Sequence, residues 1–201
     1  MKKTIRLAFI LALACLAAAW SEEPNVLPGY NGKFKGNYKV DPSTLVDKSK
    51  EELGYLRNEI VAKYGRAFKT PKYREYFGRQ SWYRVKPEYS DKMVTAVDNQ
   101  NINTILSFER PSLSERTLRR TVMKRIEYSD DLYTVVFTTA SLLTIRTEGG
   151  GYYGENADET YSWSVKGDWI LCEKDLGNGY TQRILLLLDH KTGAIVRMIV
   201  Y

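Results

Sequence analysis

A chain of 201 residues, 43% hydrophobic and 27% charged, has the composition of a globular protein of one larger domain or two small ones. Its formal charge of +6 includes Lys2, Lys3 and Arg6; without residues 1–19 it is 27 basic against 24 acidic residues, a bias too small to argue for nucleic acid as a partner. After residue 19 no segment reaches the ~18 consecutive apolar residues that a spanning helix needs.

Residues 1–19 combine a basic start, an unbroken apolar run from Leu7 and a small-residue end, the pattern of a cleavable signal peptide. The chain is therefore expected to be exported to the periplasm or cell envelope. Two cuts compete. Ala17-Ala18-Ala19 suits an ordinary signal peptidase and leaves Trp20 as the first residue, whereas Leu13-Ala14-Cys15 resembles a loose lipobox that would make Cys15 a lipidated start. Only the second route adds a membrane contact, through the lipid. Either way Cys172 has no intrachain disulfide partner, and its apolar setting in Trp169-Ile170-Leu171-Cys172 reads as that of a small buried hydrophobe.

Residues 20–44 hold Pro24, Pro28, Gly29, Gly32, Gly36 and Pro42 without a steady period and read as a linker, with a short strand at Phe34–Val40. Residues 45–109 read as a helical domain. Ser49-Lys50-Glu51-Glu52 is a capping box, in which Ser49 can accept from the third helical amide while Glu52 reaches back. Leu53, Leu56, Ile60 and Tyr64 follow on one face, and Gly65 stops the helix. Thr70-Pro71 starts a second, short helix carrying Tyr73, Tyr76 and Phe77 before Gly78. A third is expected after Ser90, with Val94, Val97, Ile102, Ile105 and Leu106 inward and Pro111 as its latest end.

The segment from Leu56 to Val85, followed by an Asn-rich helix and Glu109, resembles a YARHG domain, a bacterial extracytoplasmic module named for a five-residue motif. The matching residues are Val61-Ala62-Lys63-Tyr64-Gly65, with Ala and Gly identical, Lys for Arg and Tyr for His. Leu56-Arg57-Asn58-Glu59, Gly65-Arg66, Phe68, Tyr76-Phe77 and Trp82-Tyr83 fall in register around it. The resemblance covers about residues 45–109 and implies a small helical exported domain, without implying a reaction.

Residues 110–201 read as an antiparallel β domain. Leu132 to Phe137 and Ile184 to Leu188 are strand-length apolar runs, and tight turns at Lys166-Gly167-Asp168, Gly177-Asn178-Gly179 and His190 to Gly193 require antiparallel neighbours. A meander of five or six strands is expected, a curved sheet or small barrel, giving an α+β chain. Residues 114–127 fit both a helix (Leu118, Val122, Ile126) and, with Tyr128, an alternation; the strand reading is preferred.

For chemistry, the sequence offers no Walker-type loop, CxxC, HExxH or GxSxG, and it selects no catalytic residue, metal ligand or cofactor. The sole histidine, His190, reads as a turn residue beside Asp189. The glycine-rich stretch Gly149 to Glu159 carries carboxylates that suit calcium, but without the spacing of an EF-hand it reads as an acidic loop. Residues 57–92 are the more informative, with ten basic side chains against four acidic and with Tyr73, Tyr76, Trp82, Tyr83 and Tyr89 interleaved. In one reading Arg66, Arg79, Trp82, Tyr83 and Arg84 bind a ligand, since Arg forks onto carboxylate or phosphate and aromatic faces stack on sugars or cations. In the other, the aromatics fill a small core and the bases solvate its rim. The expected function is a non-catalytic envelope module that binds an anionic envelope polymer, a lipid headgroup or an envelope protein. The alternative is a carboxylate-dependent cell-wall hydrolase, whose paired carboxylates need not be close in sequence.

Overall fold

A computed structural model describes residues 38–148 and 157–201. The expected signal peptide, both candidate cleavage routes including Cys15, most of the expected linker and most of the glycine-rich stretch lie outside the described residues. Two compact units emerge, one containing Asn58–Met93 and the other joining Gly36–Arg57 to Val94–Tyr201. The division falls within helix α1 (Lys50–Ala62).

In the first unit, α1 ends and α2 (Pro71–Gly78) forms. Thr70 precedes α2 in an extended conformation, and Pro71 supplies a preset φ at the first helical position. The core of this unit is aromatic. Phe77, fully buried, stacks on Phe68 at 4.9 Å between ring centroids, and Tyr83 lies 6.0 Å from both rings. Tyr76 and Trp82 meet Phe77 edge-on at 5.0 and 6.2 Å.

The second unit opens with the capping box drawn from the sequence. The Ser49 amide donates to Glu52 at 2.7 Å and the Glu52 amide donates to the Ser49 hydroxyl at 3.2 Å. Residues 38–40 form no strand. Their backbone is bound instead by the buried amide of Asn101: the Val40 N–H donates to its Oδ1 at 2.9 Å, and its Nδ2 donates to the Tyr38 carbonyl at 2.6 Å. Asn101 belongs to α3 (Ala96–Glu109), which starts later than expected. Residues Asp91–Met93 make only a 3-10 turn, and the N-cap is Thr95, whose hydroxyl accepts from the Asp98 amide at 3.2 Å. The buried face of α3 carries Asp98, Asn101, Ile105, Phe108 and Glu109, whereas Val97, Ile102 and Leu106 are only half-buried.

Residues 114–127 correct the strand expectation: α4 runs Glu115–Arg125. Ser114 caps it by accepting from the Thr117 amide at 3.2 Å, and Leu118 and Val122, one turn apart, are its buried face. Ile126 ends it in a left-handed conformation with φ 60°, unusual for a β-branched residue. The alternation at Ile126 and Tyr128 belongs to this ending and to β1 (Glu127–Ser129).

Among the described residues seven strands follow rather than five or six: β1, β2 (Tyr133–Phe137), β3 (Leu142–Thr147), β4 (Ala157–Lys166), β5 (Trp169–Gly177), β6 (Tyr180–Asp189) and β7 (Ala194–Val200). They close into a barrel in chain order. Each successive pair is antiparallel, and the closing β1–β7 pair, Ser129 against Ala194, is parallel. An odd number of strands in an up-and-down order makes that parallel closure unavoidable, because the first and last strands then run the same way. The interior is filled by Tyr128, Phe137, Trp163, Ile184 and Leu186 with their neighbours, and by Leu118 and Val122 of α4. Cys172 is wholly buried in this core, and burial pushes its thiol pKa far up. Outside, Leu171 pairs with Leu185 and both are buried. Beside them Trp169 stacks on Phe108 of α3 at 5.6 Å and donates its indole N–H to Ser107 at 2.8 Å.

Candidate functional site

The 58–93 unit is organised by the way α1 ends. The Gly65 amide donates to the Ala62 carbonyl at 2.8 Å and the Arg66 amide to the Val61 carbonyl at 3.4 Å, the paired bonds of a Schellman ending. Gly65 has φ 94°, and a Cβ there would lie 2.5 Å from Lys86 Cγ and 3.0 Å from the Arg84 carbonyl oxygen. The returning chain is pinned onto this turn. The Lys86 amide donates to the Gly65 carbonyl at 2.9 Å, and the buried Tyr83 hydroxyl donates to the Arg66 carbonyl at 2.6 Å.

A recess of about 270 Å³ results, lined by Arg66, Ala67, Val85, Lys86, Pro87, Tyr89 and Asp91. Arg66 Nη1 stands 3.8 Å from Asp91 Oδ1, close enough to attract and too far for a hydrogen bond. That same carboxylate oxygen accepts from the Tyr89 hydroxyl at 2.6 Å. Burial and the neighbouring Asp91 push the Tyr89 phenol up to about 12, so it remains a neutral donor across physiological pH.

The five residues singled out in the sequence are placed as follows. Arg66 lines the recess. Arg79 is exposed and pairs with Glu75 one turn earlier. Arg84 donates to the Tyr83 carbonyl at 2.7 Å. Tyr83 is 9% exposed and belongs with half-buried Trp82 to the aromatic cluster. The basic side chains occupy the outside: Lys69, Arg74, Lys86 and Lys92 are exposed and have no carboxylate in ion-pair range among the described residues. Neither Asp91 nor Lys86 stands out in the sequence as a binding residue. Their approach to Arg66 depends on the return of the chain onto Gly65, which no local pattern announces.

Elsewhere, the polar groups are engaged structurally. Asp189 accepts from the Lys191 amide at 2.8 Å within its turn, while His190 Nδ1 is 3.0 Å from the Tyr128 hydroxyl. Burial lowers the pKa of His190. Of the glycine-rich stretch, Asp158 forks onto Arg146 at 2.9 and 3.1 Å, and Glu159 pairs with Lys174 at 2.9 Å. Among the described residues there is no cluster of three or more His, Cys, Asp or Glu side chains placed to hold a metal, and no helix long and apolar enough to cross a membrane.

A comparison with known families matches residues 34–110 to the YARHG domain. The match includes the segment that Asn101 binds at Tyr38 and Val40 and runs through the end of α3. No curated protein and no solved structure matches the chain. YARHG domains are typically extracellular. The chain is a YARHG domain-containing protein.

Proposed function

We propose that this protein is a non-catalytic extracytoplasmic module whose 58–93 unit binds an anionic component of the cell envelope. The observation that carries the reading is the segregation of residue types in that unit. Its large aromatics point inward onto Phe77, while Arg66, Lys69, Arg74, Lys86 and Lys92 are exposed. A small unit that spends its aromatic side chains on packing and leaves its cations in solvent is suited to a surface of negative charge. Arg66, Arg79 and Arg84 are its proposed arginine contacts, with Trp82 and Tyr83 supporting the backbone that carries Arg84. Export by the signal peptide, with or without acylation at Cys15, would bring the module to that compartment.

The test is sedimentation of the mature protein with isolated envelope across a salt series. Exposed charges are screened within ~10 Å at 0.1 M salt, so retention should fall as salt rises. Reversing Arg66, Arg79 and Arg84 together to Glu should remove most of it and leave the circular dichroism spectrum unchanged, because exposed substitutions usually alter stability by less than ~0.5 kcal/mol each. Retention that ignores both salt and the triple reversal would overturn the reading.

A further inference from the structure

We propose that the recess beside Gly65 is a subsite for an α-amino carboxylate borne on a short aliphatic body, with the carboxylate between Arg66 and Lys86 and the ammonium against Asp91. The inference deepens the envelope-binding reading, on which it rests for the source of its ligand.

The first ground is the mixture of charge. A recess built for a polyanion would present cations alone, whereas this one sets Asp91 3.8 Å from Arg66. A phosphate dianion held by the two cations would face a like charge. An amino carboxylate has the complementary pair of charges on adjacent atoms. The second ground is unspent hydrogen-bonding capacity. The Arg66 guanidinium is beyond hydrogen-bond length of Asp91 and bonds the Tyr89 hydroxyl on one side, which leaves the remaining N–H groups of its planar fork to grip a carboxylate. Lys86 has no carboxylate in ion-pair range among the described residues. Tyr89 occupies Asp91 Oδ1, which directs an incoming N–H to Oδ2.

Size and walls supply the third ground. A volume of about 270 Å³ is slightly below the range of drug-sized pockets, which start near 300 Å³. It suits the end of a small molecule and not a folded partner. Ala67, Val85 and Pro87 give it apolar walls, and Val85 is 54% exposed, available to an aliphatic chain. The fourth ground is preorganisation. Arg66 is held through its carbonyl by Tyr83, Lys86 through its amide by Gly65, and the Tyr89 amide donates to the Lys86 carbonyl at 3.0 Å. With the backbone fixed at these positions, only side-chain rotamers remain to be ordered when the ligand arrives.

Norleucine, hexanoate and pentylamine share one butyl-bearing body and divide the two charges among them. Titrated into the full mature chain and followed by amide chemical shifts in NMR, norleucine should perturb residues 65–67 and 85–91 saturably. Hexanoate and pentylamine should each bind about tenfold more weakly, the loss of one charge-assisted hydrogen bond. Lys86→Met keeps the Cβ and Cγ that pack against Gly65 and should weaken norleucine and hexanoate alike. Asp91→Asn should erase the preference for norleucine over hexanoate. Equal binding of the three probes, shifts confined to other residues, or a norleucine affinity unaltered in both variants would overturn the proposal. Competition then identifies the source. If saturating norleucine releases the protein from isolated envelope, the amino carboxylate belongs to an envelope peptide; if it binds without releasing it, the site serves a free amino acid. Norleucine binding combined with salt-independent envelope retention would uphold the recess and remove the broader basic-surface reading.

Discussion

The two units of this chain are stabilised in different ways. The barrel distributes its stability over a closed ladder of strands and an interior filled by many aliphatic and aromatic side chains, no one of which occupies a unique junction. The 58–93 unit has one short helix, a Schellman turn and a returning strap, and its rings converge on Phe77. Without a sheet to satisfy its backbone, it relies on a few large rings and on side chain-to-carbonyl bonds such as Tyr83 to Arg66. A unit constructed this way keeps its cations on the outside, as at Arg66, Lys69, Arg74, Lys86 and Lys92. The cost is that individual residues carry much of the stability.

The sharpest test of that contrast is Phe77→Ala. Phe77 is fully buried, and truncating a core Phe typically costs about 3–5 kcal/mol. In hydrogen exchange, amides of residues 58–93 should lose protection while those of β4, β5 and β6 keep theirs. Simultaneous loss in both regions would show that they unfold as one cooperative body and would break the comparison.

A smaller loss is expected from Gly65→Ala. Left-handed φ costs a non-glycine residue on the order of 1 kcal/mol, and the added Cβ must also displace Lys86 from its place over the turn. Urea denaturation should show a destabilisation of about 1–3 kcal/mol, with the Lys86 and Arg66 amide resonances shifted. A neutral result would mean that the strap of residues 83–86 is not held by this close approach.

These positions also show how far the sequence could be read. Ala62 and Gly65, the two identities with the YARHG motif, are the positions where the structure leaves little choice: Ala62 is 1% exposed and Gly65 is left-handed and crowded. Lys63 and Tyr64, which replace the motif's Arg and His, are half-buried. Caps and glycines were legible because they act within a few residues, as the Ser49–Glu52 box and the Gly65 stop did. The helix at Glu115–Arg125 was misread although Ser114 and the Leu118–Val122 pair signalled it, because Ile126 and Tyr128 extend the pattern with a period of two. The third helix exposed a different limit. Its buried positions include Asp98, Asn101 and Glu109, and apolar periodicity cannot find a face whose core contacts are hydrogen bonds. The recess was illegible for a related reason, since Arg66, Lys86 and Asp91 come together only through tertiary folding of the strap.

The smallest effect belongs to the barrel, where a polar cluster sits on inward positions of β4, β5 and β6. The Tyr161 hydroxyl lies 2.6 Å from Glu159 Oε2 and 3.0 Å from Gln182 Oε1, and Lys174 pairs with Glu159 at 2.9 Å. Tyr161 has one proton to give, and a carboxylate is the stronger acceptor. The bond from Tyr161, then that from Lys174, lowers the Glu159 pKa below the ordinary carboxylate value of 4.5. A depressed folded-state pKa means that the stabilisation is fully present above pH 4.5 and disappears as the pH falls through the folded value. Tyr161→Phe removes the larger cause and leaves Lys174, so the Glu159 midpoint should rise part of the way toward 4.5 in a carboxyl NMR titration. Asp158, lowered by its own bond to Arg146, provides the internal control and should not move. Overall stability at neutral pH should fall by only about 1 kcal/mol, the ordinary net worth of one hydrogen bond, because Glu159 is 46% exposed and water can replace the lost donor. A Glu159 midpoint unchanged by Tyr161→Phe would assign the lowered pKa to Lys174 alone. A loss of several kcal/mol would mean that this barrel, like the aromatic unit, depends on single residues, and the contrast between the two would no longer hold.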